Sequence, residues 1–206
     1  MTAIVDYGVG NLFSLRSSLR FLGENAVVTS DIGTMNSADR IILPGVGAFG
    51  DAAQKLRSGG LANAVVELAS AGKPVLGICL GMQLLFEKSL EFGEHEGLGL
   101  IPGTVIPLYG KIDACLKIPH IGWNALEFKK PSVLFKYIKN GDHVYFVHSY
   151  YASDCEPYIT SVSEYGADVT ASVERGNVYG CQFHPEKSGR VGLAILKAFT
   201  ETEQTK

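Results

Sequence analysis

A rhythm in the first 90 residues limits what this chain can fold into more than any other feature. Short, unbroken apolar runs alternate with stretches of helical period. The runs are TAIVD (2–6), AVVTS (26–30), RIILPG (40–45) and PVLGI (74–78). Between the first two, Leu12, Leu15, Leu19 and Leu22 recur at helical spacing, and Gly23 supplies a stop. Residues 48–57 and 61–71 read as helices separated by Gly59 and Gly60, and another helix opens near Leu80. Strands that are apolar along both faces need cover on both sides, which a parallel sheet between helical layers provides.

The texture changes after residue 100. TVIPLY, ACLKI, HVYFVHSYYA, YITSVSEY, VTASVERG and VYGCQFH are short, β-rich and separated by Gly, Asn and Asp turns. A last helix is expected at about 189–203. The fold expected is therefore α/β: a flavodoxin-like, open, twisted, mostly parallel sheet flanked by helices. Its β-rich second half forms a mixed extension of the sheet or a small extra sheet. No repeat or linker divides residues 1–206, so one domain is expected, and Lys129, Lys130 and residues 132–142 are the stretch that fits the pattern least.

The run PVLGI climbs directly into Cys79, which stands between Gly77 and Gly81 in GICLG. This is the G-x-nucleophile-x-G form of a strand-to-helix elbow, with Cys in the place of Ser. Such a turn leaves no room for a Cβ two places to either side. It lifts the sulfur out at the carboxyl end of the sheet, where open α/β sheets keep their ligand crevices. The following helix N-terminus favours a thiolate, and the Leu80 N–H is left free to meet an oxyanion. For this motif alone, a buried structural cysteine is the alternative.

A thiolate nucleophile needs a base. Among the five histidines, His184 follows a strand expected over 177–183, and Glu186 comes two places later. Pro185 bars helix at His184, and in extended backbone residues two apart share a face. Glu186 can thus fix the imidazole tautomer, giving the nucleophile–base–orienter order of a Cys–His–Glu triad. His-Pro-Glu by itself could equally be a strand-ending turn. Cys181 has the wrong parity to face His184, and Cys115 and Cys155 have no elbow around them. In ILPGVGAFGD (42–51), Gly45 and Gly47 flank Val46 just beyond a strand, where backbone N–H groups can approach a substrate carbonyl. A simple turn into a helix is the other reading.

Several classes are excluded. The chain is 46% hydrophobic and 19% charged, so it can bury a full core, and its net charge of −3 offers no basic face for nucleic acid. Four cysteines without a C-x-x-C spacing read as reduced thiols of a cytoplasmic protein. The N-terminus lacks a signal peptide's charged start, and no apolar run approaches the ~20 residues of a bilayer span. His95, His120 and His143 have no ligand-like spacing, so neither metal nor cofactor is expected. Gly8 and Gly10 suggest a dinucleotide fingerprint, but Phe13 stands where its third glycine belongs.

Taken together, the elbow, the His-Pro-Glu segment and the glycine turn resemble the class I glutamine amidotransferases. Within that family, DYGVGN, LPGVGAFGD, GICLGMQLLFE, GLGLIPG, IPHIGWN, FVHSYY and GCQFHPEKSG are similar to the glutaminase subunits of imidazole glycerol phosphate synthases. The resemblance runs from residue 4 to about 199. It implies hydrolysis of L-glutamine by Cys79, His184 and Glu186, with oxyanion donors at Leu80 and in Gly45–Val46–Gly47. It also implies that Gly47 and Gln83 contact glutamine, while Glu91, His148, Ser149 and Tyr150 hold its α-amino and α-carboxylate groups. The ammonia would pass to a partner (β/α)8 barrel cyclase of histidine biosynthesis, docked over Gly10, Asn11, Trp123, Tyr145 and Lys187. A resting orientation of the Val46 peptide, released when the barrel is loaded, is implied as well. A paralogue feeding another synthase and a non-catalytic flavodoxin-like module are the alternatives.

Overall fold

The computed structural model describes residues 1–204; residues 205 and 206, the end of the expected single domain, lie outside the described residues. The first half follows the apolar rhythm. Strand β1 (Thr2–Val5) leads to helix α1 (Leu12–Phe21), then β2 (Ala26–Thr29), α2 (Ile32–Ser37) and β3 (Arg40–Gly45). Helices α3 (Phe49–Ser58) and α4 (Leu61–Ser70) precede β4 (Val75–Cys79). Helix α2 was not expected. Asp31 caps its start by accepting from the Thr34 N–H at 2.7 Å, and the buried Lys73 ammonium ends it by donating to the carbonyls of Met35, Asn36 and Ala38.

The chain continues through α5 (Leu80–Leu84), β5 (Phe86–Ser89), β6 (His95–Glu96), β7 (Ile101–Pro107), β8 (His120–Ala125) and β9 (Glu127–Phe128). It then forms β10 (His143–His148), β11 (Tyr150–Ser153), β12 (Ile159–Glu164), β13 (Asp168–Arg175), β14 (Val178–Cys181) and α6 (Gly189–Thr200). Eight strands make the main sheet in the order β2-β1-β3-β4-β14-β13-β12-β9. From β2 to β14 neighbouring strands are parallel, while β13, β12 and β9 continue it antiparallel. A four-stranded sheet, β11-β7-β5-β6, and the pair β10-β8 stand beside it. The second half thus provides both the mixed extension and extra sheets.

Side-chain alternation along the parallel strands builds two cores. Ala3, Val5, Ile41, Leu43 and Val75 pack on one face beneath α3 and α4. Ile4, Ile42, Leu76 and Ile78 pack on the other with Leu15 and Leu19 of α1 and Ile195, Leu196 and Phe199 of α6. Four local expectations need correction. ACLKI is not a strand, and α6 ends at Thr200. Helix α5 stops after five residues because its apolar continuation enters the four-stranded sheet as β5. HVYFVHSYYA is two strands, split at Ser149 between two sheets. Of residues 129–142, unplaced by pattern, Lys129 and Lys130 lie along β12, both N–H groups bonding the Thr160 carbonyl. A 3-10 turn at Val133–Phe135 then stacks Phe135 on Phe128 at 4.0 Å, and Lys136 and Tyr137 bond Glu201 just past α6. Among the described residues, no helix is long and apolar enough to cross a membrane.

Candidate active site

Strands β3, β4 and β14 run parallel and end side by side, their register setting Gly45 beside Cys79 and Cys181 beside Ile78. The carboxyl edge therefore brings three remote segments together. Cys79 is the last residue of β4, with φ 54° and ψ −113°. A non-glycine residue in that region is strained by about 1–3 kcal/mol, so the surroundings must hold it there. They do so by close approach. A Cβ on Gly77 would sit 2.6 Å from the Met82 Cα, and one on Gly81 would overlap the Leu43 carbonyl. A Cβ on Gly45 would lie 2.8 Å from both the Gly81 nitrogen and the Tyr7 hydroxyl. The elbow and the glycine turn thus need each other's missing side chains. Helix α5, with only five residues, carries a smaller dipole than the sequence suggested.

Glu186 and His184 share a face, as expected, although β14 ends at Cys181 and Pro185 opens a 3-10 turn. His184 Nδ1 is 2.8 Å from Glu186 Oε1, with both side chains almost fully buried. The other ring nitrogen is left for Cys79, which lies near enough to act on the charge of the imidazole. Burial alone would lower the imidazole pKa. The hydrogen bonds and charges of Cys79 and Glu186 outweigh it and raise the value to about 9. The His184 backbone is clamped too: its N–H donates to the Tyr145 carbonyl at 2.9 Å, and its carbonyl accepts from the Ser188 hydroxyl at 2.6 Å. Glu186 thus bonds the imidazole of His184, and Cys79 acts on its charge from nearby.

The sulfur opens into a cavity of about 270 Å³ lined by Val46, Gly47, Cys79, Leu80, Gln83 and Glu91 on one side. Pro119, Val147, His148, Ser149 and Tyr150 close the other, so every residue expected to hold substrate lines this one space. Gly47 has φ +99°, which glycine alone tolerates readily. Glu91 already accepts from the Phe49 N–H at 2.6 Å, at the start of α3, where no side chain of the N-cap residue does so. His148 donates from Nδ1 to the Tyr150 carbonyl at 2.9 Å. Burial, aided by the nearby imidazoles, lowers its pKa to about 3, so it is a neutral ring. A larger hollow of about 480 Å³ lies beyond Glu91, near Arg57 and His95, and holds no nucleophile.

The residues expected at a docking face adjoin this site. Trp123 is 53% exposed and pairs with Tyr145 across β8 and β10, their rings 6.0 Å apart. Lys187 lies over the Tyr145 ring at 5.9 Å, and Asn11 caps α1 while lining a small space shared with His184 and Glu186. Gly10, at φ +112°, approaches Pro44 closely. Trp123 is thus a surface residue rather than a core one.

Three residues escaped the sequence reading. Tyr7 donates to the Pro44 carbonyl at 2.7 Å and so fixes the glycine turn, Ser188 clamps His184, and Gln182 lies against the sulfur. All three stood within quoted motifs without a role, Tyr7 in DYGVGN and Gln182 and Ser188 in GCQFHPEKSG. The other cysteines are poor nucleophiles. Burial pushes the Cys155 thiol up to about 12 and raises that of Cys181, while Cys115 is exposed and raised by Asp113. Among the described residues, no three His, Cys, Asp or Glu side chains group as metal ligands.

The family model described as glutamine amidotransferase class-I matches residues 3–201. The imidazole glycerol phosphate synthase subunit HisH of Caldanaerobacter subterraneus subsp. tengcongensis is 50% identical, covering 98% of both chains. Its counterpart from Moorella thermoacetica is 49% identical over 97% of this chain and 93% of its own. A solved glutamine amidotransferase shares the fold with a TM-score of 0.74 at 19% identity, covering 96% of this chain and 98% of the other. The solved PurLQS of Thermotoga maritima does so with a TM-score of 0.71 at 20% identity, covering 97% and 96%.

Proposed function

The chain belongs to the class-I glutamine amidotransferase family, and from that premise we propose that it hydrolyses L-glutamine and hands the ammonia to a partner cyclase in histidine biosynthesis. One observation supports the reading: Cys79 and Glu186 both act on the buried imidazole of His184, and the sulfur opens into the cavity lined by all the expected substrate contacts.

The chemistry follows from the geometry. The Cys79 sulfur attacks the glutamine side-chain carbonyl carbon, whose oxygen becomes an oxyanion facing the Leu80 N–H and a donor from Gly45–Val46–Gly47. Such preorganised donors contribute about 10²–10³ in rate each. Protonated His184 gives its proton to the amide nitrogen, the C–N bond breaks, and ammonia leaves. His184 then takes a proton from water, the resulting hydroxide attacks the thioester, and glutamate departs as the sulfur regains its charge. Glu186 holds Nδ1 and orients the ring throughout. The free oxygen of Glu91 suits the α-amino group, and His148, Ser149 and Tyr150 surround the α-carboxylate. Gly47 and Gln83 contact the rest of the substrate.

The relatives are subunits of imidazole glycerol phosphate synthases, so the acceptor of ammonia is a cyclase, built as a (β/α)8 barrel. It docks over Gly10, Asn11, Trp123, Tyr145 and Lys187. Exposed Trp and Tyr side chains suit the centre of such an interface. A sheltered passage keeps ammonia from becoming ammonium in water. One amidotransferase domain spans the chain, needing no metal or cofactor, and four free cysteines suit the cytoplasm. Co-purification with the cyclase, followed by glutamine turnover with and without its substrate, tests this. Turnover rises steeply in the loaded complex, and Cys79→Ala abolishes glutamine-dependent but not ammonia-dependent synthesis. Equal turnover with and without the loaded partner, or survival of glutamine-dependent synthesis in Cys79→Ala, overturns it.

A further inference from the structure

Two buried amides stand behind the nucleophile, and their hydrogen bonds can be arranged in only one way. The Tyr150 carbonyl can only accept. It lies 3.0 Å from Gln83 Nε2 and 2.9 Å from His148 Nδ1, which uses both of its lone pairs. The Gln83 nitrogen is thereby identified. Its second N–H goes to Gln182 Oε1 at 3.0 Å. That contact in turn fixes Gln182, a fully buried side chain, with its nitrogen on the opposite side, 3.8 Å from the Cys79 sulfur. A flipped Gln182 would set its NH2 against the Gln83 NH2 and lose both bonds. The Gln182 backbone is held as well, its N–H donating to the Ala171 carbonyl at 2.8 Å.

We propose that Gln182 is a catalytic residue, an N–H donor locked against the Cys79 sulfur that stabilises its thiolate. The inference rests on the reading of Cys79 as the nucleophile. A donor to a charged acceptor favours the charged form, more so away from water. With the charge of His184 nearby and the Gln182 N–H against it, the sulfur is favoured as an anion, whereas the Val147 carbonyl, 4.0 Å away, can accept only from the thiol. In the thioester that charge is gone and the Gln182 bond weakens. The donor therefore acts twice, by holding the attacking thiolate and by easing its departure when glutamate is released. Gln83 keeps its own oxygen for substrate, since its nitrogen is committed within the protein.

The test follows iodoacetamide alkylation of Cys79 against pH in the whole chain, beside Gln182→Met and Gln182→Glu. Methionine removes the donor at similar volume, and glutamate keeps an acceptor for Gln83 while presenting oxygen to the sulfur. Both variants move the midpoint of alkylation upward by about one pH unit, hence about tenfold less thiolate at neutral pH. Glutamine kcat falls at least as far. A purely structural role lowers Tm and leaves the midpoint where it was; an unmoved midpoint in either folded variant overturns the proposal. Should neither variant fold, the unaltered chain decides by NMR. The Gln182 side-chain amide signals shift with the same pH midpoint as alkylation, and signals indifferent to pH and to alkylation overturn it. If the unaltered chain proves unable to hydrolyse glutamine even with the loaded cyclase, the proposed activity fails, while the alkylation midpoint still decides the role of Gln182.

Discussion

His184 is where opposing influences are resolved in favour of a charge. Burial works against an imidazolium, yet the adjoining sulfur and the Glu186 carboxylate prevail and lift the pKa to about 9. Glu186→Gln retains the shape and an acceptor oxygen but removes the negative charge. The alkaline limb of the glutaminase pH–rate profile then moves to lower pH, and kcat falls by about 10²–10⁴, the range of general acid–base assistance. A profile unchanged in position would contradict the role given to Glu186. The pair was legible in the sequence because Pro185 restricts the backbone between the two residues. Gln182 and Ser188 were not, because their roles depend on neighbours remote in sequence: Gln83 for one, Tyr145 for the other.

Between strand and helix, the elbow depends on what is absent. The requirement for Gly81 comes from the Leu43 carbonyl of neighbouring β3, and that for Gly77 from the Met82 backbone in α5. Gly81→Ala forces two backbone segments apart. It costs about 1–3 kcal/mol by overpacking, and Tm drops by several degrees. An unchanged Tm would show that β3 and the elbow are not in close contact. The four parallel strands of the first half were readable because apolar runs between helices admit few arrangements. The second half was readable as β but not as sheets. One aromatic run supplies both β10 and β11, and its break at Ser149 is decided by two partners, β8 and β7. That same break opens the cavity wall from Val147 to Tyr150, so the least legible element builds much of one side of the cavity beside Cys79.

For the molecule as a whole, three buried histidines bend stability with pH, His184 in one sense and His148 with His120, whose pKa burial also lowers, in the other. The folded-state pKa of His184 is raised from 6.5 to about 9, so its contribution is complete below 6.5 and is lost as pH climbs through 9. The pKa of His148 is lowered from 6.5 to about 3, so its contribution is present above 6.5 and drains away as pH falls from there. Denaturant midpoints decline on both sides of neutrality, and His148→Gln flattens the acid limb relative to the unaltered chain. A variant acid limb as steep as the original would count against a neutral His148. All of this serves one arrangement, a sulfur delivered by β4 to an imidazole that follows β14, at the rim of a shared sheet. Acid quenching during glutamine turnover, followed by peptide mass analysis, tests it most directly. The account predicts a glutamyl group on the peptide containing Cys79, absent from Cys79→Ala. A glutamyl group on any other residue, or steady glutamine hydrolysis by Cys79→Ala, would contradict it.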